Sequence, residues 1–259
     1  MDIQENITDA IEYTKGLFTD LARLVILIVL DIIPIVNFIV IGYFARCVKE
    51  SPASRKPPKI ADYGDLWVQG AKIFLVSLVY MIIPAILFIP VILMTFAWGF
   101  FWGFLAFNWP LIVALAVVGL IISFLSTLIL AMAIVNMIKK DDLGKAFALS
   151  EILDVIKRVG WGNYILWAIV IFVIGVIISL VGMIPYVGWI LSLIISPFLG
   201  VFVARSAALV YSEGAPEVTS QPTKPEFAAT VEAGMKYCKY CGAKIPADAL
   251  YCPNCGGKQ

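Results

Sequence analysis

"IFLVSLVYMIIPAILFIPVILMTFAWGFFWGFLAFNWPLIVALAVVGLIISFLSTLILAMAIVNMI", Ile73 to Ile138, runs for 66 residues without one Asp, Glu, Lys or Arg. About 20 apolar residues in a helix cross the hydrocarbon core of a bilayer. The run therefore holds two or three crossings and decides the fold, an all-α integral membrane helical bundle. A second uncharged run, Tyr164 to Ala204, extends for 41 residues and holds two more. The composition agrees: 61% of the 259 residues are apolar and 14% charged, with a mean hydropathy of +0.96, against roughly 45–50% and 25% in soluble domains.

Breaks within these runs set the spans. "AWGFFWGFLAFNWP" (Ala97 to Pro110) gathers Trp with Gly, Asn and Pro, as where a chain turns at the aromatic belt. "GMIPYVGW" (Gly182 to Trp189) reads as a second turn. Spans are expected near 71–97, 110–138, 162–183 and 186–210. The segment 21–46 is apolar enough to cross once but holds Asp31, Pro34 and Asn37, so it is one kinked span or a shallow hairpin. The bundle thus has five spans, or six segments with the hairpin. "IPIVNFI...GYFAR" (Ile33 to Arg46) parallels "IPYVGWI...GVFVAR" (Ile184 to Arg205), which suggests a degenerate internal repeat. "ADYGDLWVQGAKIF" (Ala61 to Phe74) and "ALSEILDVIKRVGWGNYI" (Ala148 to Ile165) read as helices lying in the interface ahead of a span. Residues 1–20 form an N-terminal amphipathic segment, with no cleavable signal peptide expected.

Charge gives the orientation. Arg46, Lys49, Arg55, Lys56 and Lys59 follow the first element, and Lys139, Lys140, Lys145, Lys157 and Arg158 follow the long run. The turns near 98–110 and 182–189 carry no charge. Basic loops face the cytoplasm, so a multi-pass protein of the cell membrane with a cytoplasmic C-terminus is expected. The helical membrane domain is 21–211. Residues 212–235, rich in Pro, Ala, Ser, Thr and Glu, make a flexible linker.

The remaining segment, 236–259, holds Cys238, Cys241, Cys252 and Cys255 in two C-x-x-C pairs, each followed by Gly. Two residues between thiols let one tight turn aim both sulfurs at one ion, and the Gly supplies the left-handed backbone that turn needs. Four thiolates close a tetrahedral shell, so the cofactor is one structural Zn2+ in a small C-terminal zinc ribbon with no coordination position left for catalysis. A disulfide pairing is the alternative, disfavoured on a cytoplasmic face. Cys47, the fifth cysteine, reads as a small packing residue.

The tail resembles the short zinc ribbons appended to many prokaryotic proteins. With "YGDLWVQGAKIFLVSLVYMIIPAIL", "AFALSEILDVIKRVGWGNYILWAIV" and the basic exits at Arg46 and Arg205, the body resembles, over roughly 15–212, an uncharacterised family of prokaryotic membrane proteins that is a domain of unknown function. That resemblance implies no activity.

The chain has no His, which removes the commonest general base and catalytic metal ligand. H-E-x-x-H and G-x-S-x-G are absent as well, and an enzyme is not expected. Asp31, the one ionisable residue deep in an apolar stretch, is the candidate intramembrane polar site, functional or structural. The expected role is a non-enzymatic multi-pass membrane protein whose ribbon serves interaction or assembly. Its partners are the lipid bilayer and a cytoplasmic protein or a second copy of the chain; nucleic acid is not expected, since zinc-bound thiolates offset the ribbon's lysines. The alternative is a transporter or channel for a small apolar or lipid-like molecule.

Overall fold

A computed structural model of the chain describes residues 2–96, 102–215, 235–246 and 250–258. Two units separate in it, residues 1–216 and 217–259. The first is all helix. An N-terminal helix α1 (Ile3–Lys15) starts on Asp2, whose carboxylate accepts from the Gln4 N–H at 2.9 Å. A 3-10 turn leads to α2 (Leu21–Ile32), capped by Asp20, then α3 (Phe38–Glu50). Long helices α4 (Tyr63–Phe96) and α5 (Trp102–Lys140) follow, then short α6 (Leu149–Val159), α7 (Trp161–Gly182) and α8 (Gly188–Gly214). Four stretches among the described residues are long and apolar enough to cross a membrane: Tyr63–Leu93, Pro110–Lys140, Trp161–Gly182 and Gly188–Gly214.

The segment 21–46 is not among them. It breaks at Ile33–Asn37 into two helices of 12 and 13 residues, about 18–20 Å each against a hydrocarbon core of about 30 Å. The break sits at an Ile-Pro corner where Ile35 adopts φ 71° and the Asn37 N–H donates to Ile33 O at 3.0 Å. The second Ile-Pro corner repeats that backbone: Tyr186 has φ 65° and the Gly188 N–H donates to Ile184 O at 2.8 Å.

Three sequence expectations change. The turn placed at 97–110 is helical from Trp102 onward, with Pro110 inside α5; residues 97–101 lie outside the described residues. Membrane helices tolerate such a proline, because neighbouring groups re-satisfy the freed carbonyl. Ala61–Phe74 is no separate interfacial helix, since α4 runs unbroken from Tyr63. Its counterpart does break, at Gly160 with φ 91°, and leaves α6 a distinct amphipathic helix. The linker placed at 212–235 begins later, because α8 continues to Gly214, which packs against the Val155 carbonyl; residues 216–234 of it lie outside the described residues.

Close approach fixes α3 on α4. A Cβ on Gly42 would stand 1.8 Å from Leu66 O, and one on Gly70 would stand 1.9 Å from Phe38 O. The two backbones therefore touch, as small residues permit in membrane helices. The core lies where all eight helices meet, around Tyr43, Met132, Val135, Ile152, Ile156, Tyr164 and Val201. Half of the α8 span is buried there, while only 6% of the α7 span is. α8 is thus the axis, and α7 turns its apolar surface outward.

One proline-rich loop, Ser51–Asp62, closes this end of the body. Pro52, Pro57 and Pro58 offer no N–H, so the loop has few donors for its own carbonyls, Ser54 Oγ to Lys56 O at 2.7 Å being one such pair. Buried cationic forks take them instead. Arg205 donates to Pro52 O (3.2 Å) and Ser54 O (2.9 Å), pairs with Asp9 of α1 (2.6 Å) and lies 4.8 Å over the Tyr13 ring. Arg23 donates to Pro57 O (2.8 Å), Pro58 O (3.0 Å) and Gly16 O (2.8 Å). Arg46 reaches Ala61 O at 2.8 Å, and Lys139 reaches Lys49 O and Ser51 O. On the far side, Glu151 of α6 is clasped by Lys140 and Lys145, whose ammonium groups hold its carboxyl down at about 2.

Arg205 is 4% exposed, so Arg205→Met strands several carbonyls and the Asp9 carboxylate. It is expected to cost about 3 kcal/mol, read as an earlier midpoint in detergent unfolding, with Arg205→Lys between it and the native protein. An unchanged midpoint for Arg205→Met would show that the loop is held by other means. The Glu151 carboxyl lies below its ordinary range, so its clasp stabilises the folded state above about pH 4 and is lost as pH falls toward about 2. Glu151→Gln is expected to lower the neutral plateau of the stability curve and flatten its acid limb, so that the two curves meet near pH 2.

Candidate metal centre

Each C-x-x-C pair folds by the same local rule. In the first, the Gly242 N–H donates to Cys238 O at 3.0 Å and the Cys238 N–H to Ala243 O at 2.9 Å. In the second, the Gly256 N–H donates to Cys252 O at 2.8 Å and the Cys252 N–H to Gly257 O at 2.9 Å. Gly242 and Gly256 both sit at φ 71°, where a side chain would be strained. A short antiparallel pair, β1 (Met235–Tyr237) with β2 (Lys244–Pro246), supports the first turn, and a bridge between Tyr251 and Lys258 supports the second. The two turns meet closely: a Cβ on Gly257 would come within 2.6 Å of the Tyr240 ring.

This brings all four sulfurs to one point. They lie within 4.8 Å of one another, with Cys238–Cys255 at 3.5 Å and Cys241–Cys252 at 3.6 Å. A tetrahedral shell with Zn–S of about 2.3 Å sets its sulfurs about 3.8 Å apart, so the donor set fits the ion. The Tyr240 N–H (3.4 Å, to Cys238 Sγ) and Asn254 Nδ2 (3.7 Å, to Cys241 Sγ) direct hydrogen bonds at the sulfurs and orient them.

Electrostatics calls for the cation. Burial works against a Cys238 thiolate, yet the amides of Tyr240 and Cys241 bring this thiol down to about 6. Although the Gly257 amide pulls Cys255 down, the crowding sulfurs of Cys241 and Cys238 push it up to about 12. Sulfurs this close cannot all ionise until a divalent ion offsets their charge. With four protein ligands the shell is complete, and the site is structural.

Asp31 belongs to the other unit and joins no cluster of metal-binding groups among the described residues. Its carboxylate accepts from Ser196 Oγ at 2.5 Å, and that hydroxyl also lies 3.3 Å from Leu193 O. Pro197 lies inside α8, and the carbonyl four residues before it, Leu193 O, has no helical donor. Ser196 attends to that carbonyl and ties α2 to α8. Cys47 is fully buried, in keeping with a packing role.

Sequence reasoning missed the polar network at the base of α8. Trp167 Nε1 donates to Ser206 Oγ (2.8 Å), Ser206 Oγ to Asn6 Oδ1 (2.5 Å), and Asn6 Nδ2 back to Ser206 O (3.2 Å). Asn6 lies 200 residues from Ser206, and no spacing signal links them. Asn136, by its place near a helix end, reads from sequence as a helix-packing residue. It is buried, accepting from the Tyr211 hydroxyl (2.7 Å) and donating to Lys145 O (2.8 Å).

The ribbon has too small an apolar core to fold by itself. A chelator is therefore expected to unfold 235–258 and leave the helical signal of the body unchanged. Cys238→Ser/Cys241→Ser is expected to lower bound zinc from one per chain to none. Zinc retained by that variant would place the ion elsewhere.

Among known proteins, residues 25–187 match the family described as "Protein of unknown function (DUF4013)", and residues 237–258 match the zinc-ribbon domain family. No curated protein and no solved structure matches the chain. The first match covers more than half of a chain whose body is a multi-pass helical bundle, and the second falls on the four clustered cysteines: the protein belongs to the DUF4013 family of unknown function and carries a zinc-ribbon domain.

Proposed function

We propose that this is a non-enzymatic membrane protein whose zinc ribbon, carried on the segment 216–234, docks a protein partner or a second copy of the chain. The carrying observation is the closed four-thiolate site. It uses every cysteine of the ribbon to build a rigid surface and leaves no ligand position for chemistry. The body supports the same reading. Half-buried Asp31 is engaged with Ser196, and buried Arg205 with Asp9 and the loop, both structural contacts.

The orientation proposed is basic end inward, at the cell membrane. Arg55, Lys56 and Lys59 stand exposed on the closing loop, beside the ends of α3 and α5, and the opposite corner at 183–187 carries no charge. Cations are retained on the cytoplasmic side, and α8 ends on that same side. A protease reaching only the outer face of intact cells is expected to leave 216–234 uncut, and one reaching only the inner face to release the ribbon. The reverse pattern overturns the orientation.

Removing residues 216–259 tests the docking role. The cut must follow Gly214, since an earlier one removes a helix end packed on α6. The truncated body is expected to stay folded in the membrane and to lose the proteins that co-purify with the full chain. Unchanged company sinks the docking reading. A second reading, a transporter or channel for an apolar or lipid-like molecule, draws on one observation, an apolar cavity at the base of the spans.

A further inference from the structure

The four long helices do not close into a ring. α4 packs along α5, and α7 along α8, but among the described residues neither α4 nor α5 makes extended contact with α7. Two helical hairpins thus share one packed base and part beyond it. At the fork lies a cavity of about 440 Å³, within the roughly 300–1,000 Å³ usual for ligand sites. Helices α3, α5, α7 and α8, with Ile73 of α4, form its walls, and small side chains make the room: Ala45, Ala131, Ala168, Gly200, Ala204 and Ala207.

The polar tips along these walls already have partners. Thr127 Oγ1 donates to Ser123 O at 2.8 Å, the Tyr164 hydroxyl to Leu128 O at 2.5 Å, and Trp167 Nε1 to Ser206 Oγ. Water held there would find too few hydrogen-bond partners. An empty space of this size would forfeit the dispersion contacts of its lining. Hydrocarbon satisfies both conditions.

Thr127 of α5 and Phe172 of α7 line the cavity and are themselves exposed, Phe172 by 67%. The mouth therefore opens sideways between two membrane-spanning helices, where the surrounding medium is lipid. We propose that the cavity holds one acyl chain of a bilayer phospholipid, which enters laterally between α5 and α7. This site is independent of the ribbon's role, and either can fail without the other.

The test uses the full-length protein in phosphatidylcholine vesicles doped with a phosphatidylcholine that carries a photoactivatable diazirine midway along one chain, with adducts mapped by mass spectrometry. Adducts are expected on 127–138 and 164–172 at about tenfold the density found on the lipid-facing positions Ile82, Ile86 and Leu93 of α4. Ala131→Phe/Ala168→Phe should bring that density down to the α4 level without moving the α4 adducts. Should this double variant not fold, Ala168→Leu, on a half-exposed wall, must still reduce the cavity adducts. Equal density on both regions, or enrichment untouched by Ala168→Leu, overturns the proposal. So does a cavity labelled only by a free diazirine fatty acid, which would assign the site to single-chain molecules, or one left unlabelled, which would mean that the chain's own residues fill it.

Discussion

A backbone carbonyl withdrawn from water must find a donor, and at the closed end of this body the loop Ser51–Asp62 supplies few of its own. Three prolines each remove an N–H group, and the arginines of α2, α3 and α8, with Lys139 of α5, supply donors in their place. A guanidinium suits the task because its fork serves several acceptors at once. Arg205 binds two loop carbonyls and a carboxylate of α1 in one contact set. Remove that donor set and α1, the loop and α8 lose their shared anchor. Two of the basic residues that sequence alone assigns to orientation, Arg46 and Lys139, thus also hold the fold together.

With the base secured, the helices beyond it need little contact with one another. The spans of α4, α5 and α7 leave most of their surface to the surroundings, which costs nothing in lipid because acyl tails are as apolar as Leu and Ile. In water the same fork would collapse. The fork and its cavity are therefore consequences of the solvent, and the small residues at the crotch keep the walls apart. The short hairpin of α2 and α3 fits the same picture: its tip is held by Asp31 on Ser196 and by Trp67 Nε1 donating to Ile35 O at 3.0 Å.

The ribbon solves the opposite problem. Among the described residues it has almost no apolar core, only Cys238 and Cys252 with Ala243 beside them, and metal–thiolate bonds take the place of burial. Its two turns are nearly the same object built twice, each with a left-handed Gly and the same pair of amide hydrogen bonds. Matching turns facing one another deliver four sulfurs to one point.

The sequence by itself determined the membrane character, the two Ile-Pro corners and the four zinc ligands. Each of these is local: a run of uncharged residues, a proline, or a two-residue spacing carries its physical consequence wherever the chain places it. Local signals misled where neighbours decide. The Trp- and Pro-marked stretch Trp102–Pro110 is helix, and Ala61–Phe74 is largely the start of a span, because helical hydrogen bonding in an apolar setting outweighs a single proline or glycine. Only the tertiary structure decided that Arg205 meets Asp9, that Ser206 meets Asn6 and that Asp31 meets Ser196. Those pairs lie 165 to 200 residues apart, and their energy depends on distance and desolvation, which exist only once the helices have packed. The cavity is of the same kind, for an alanine in a sequence is merely small until packed helices arrange several of them around a shared space.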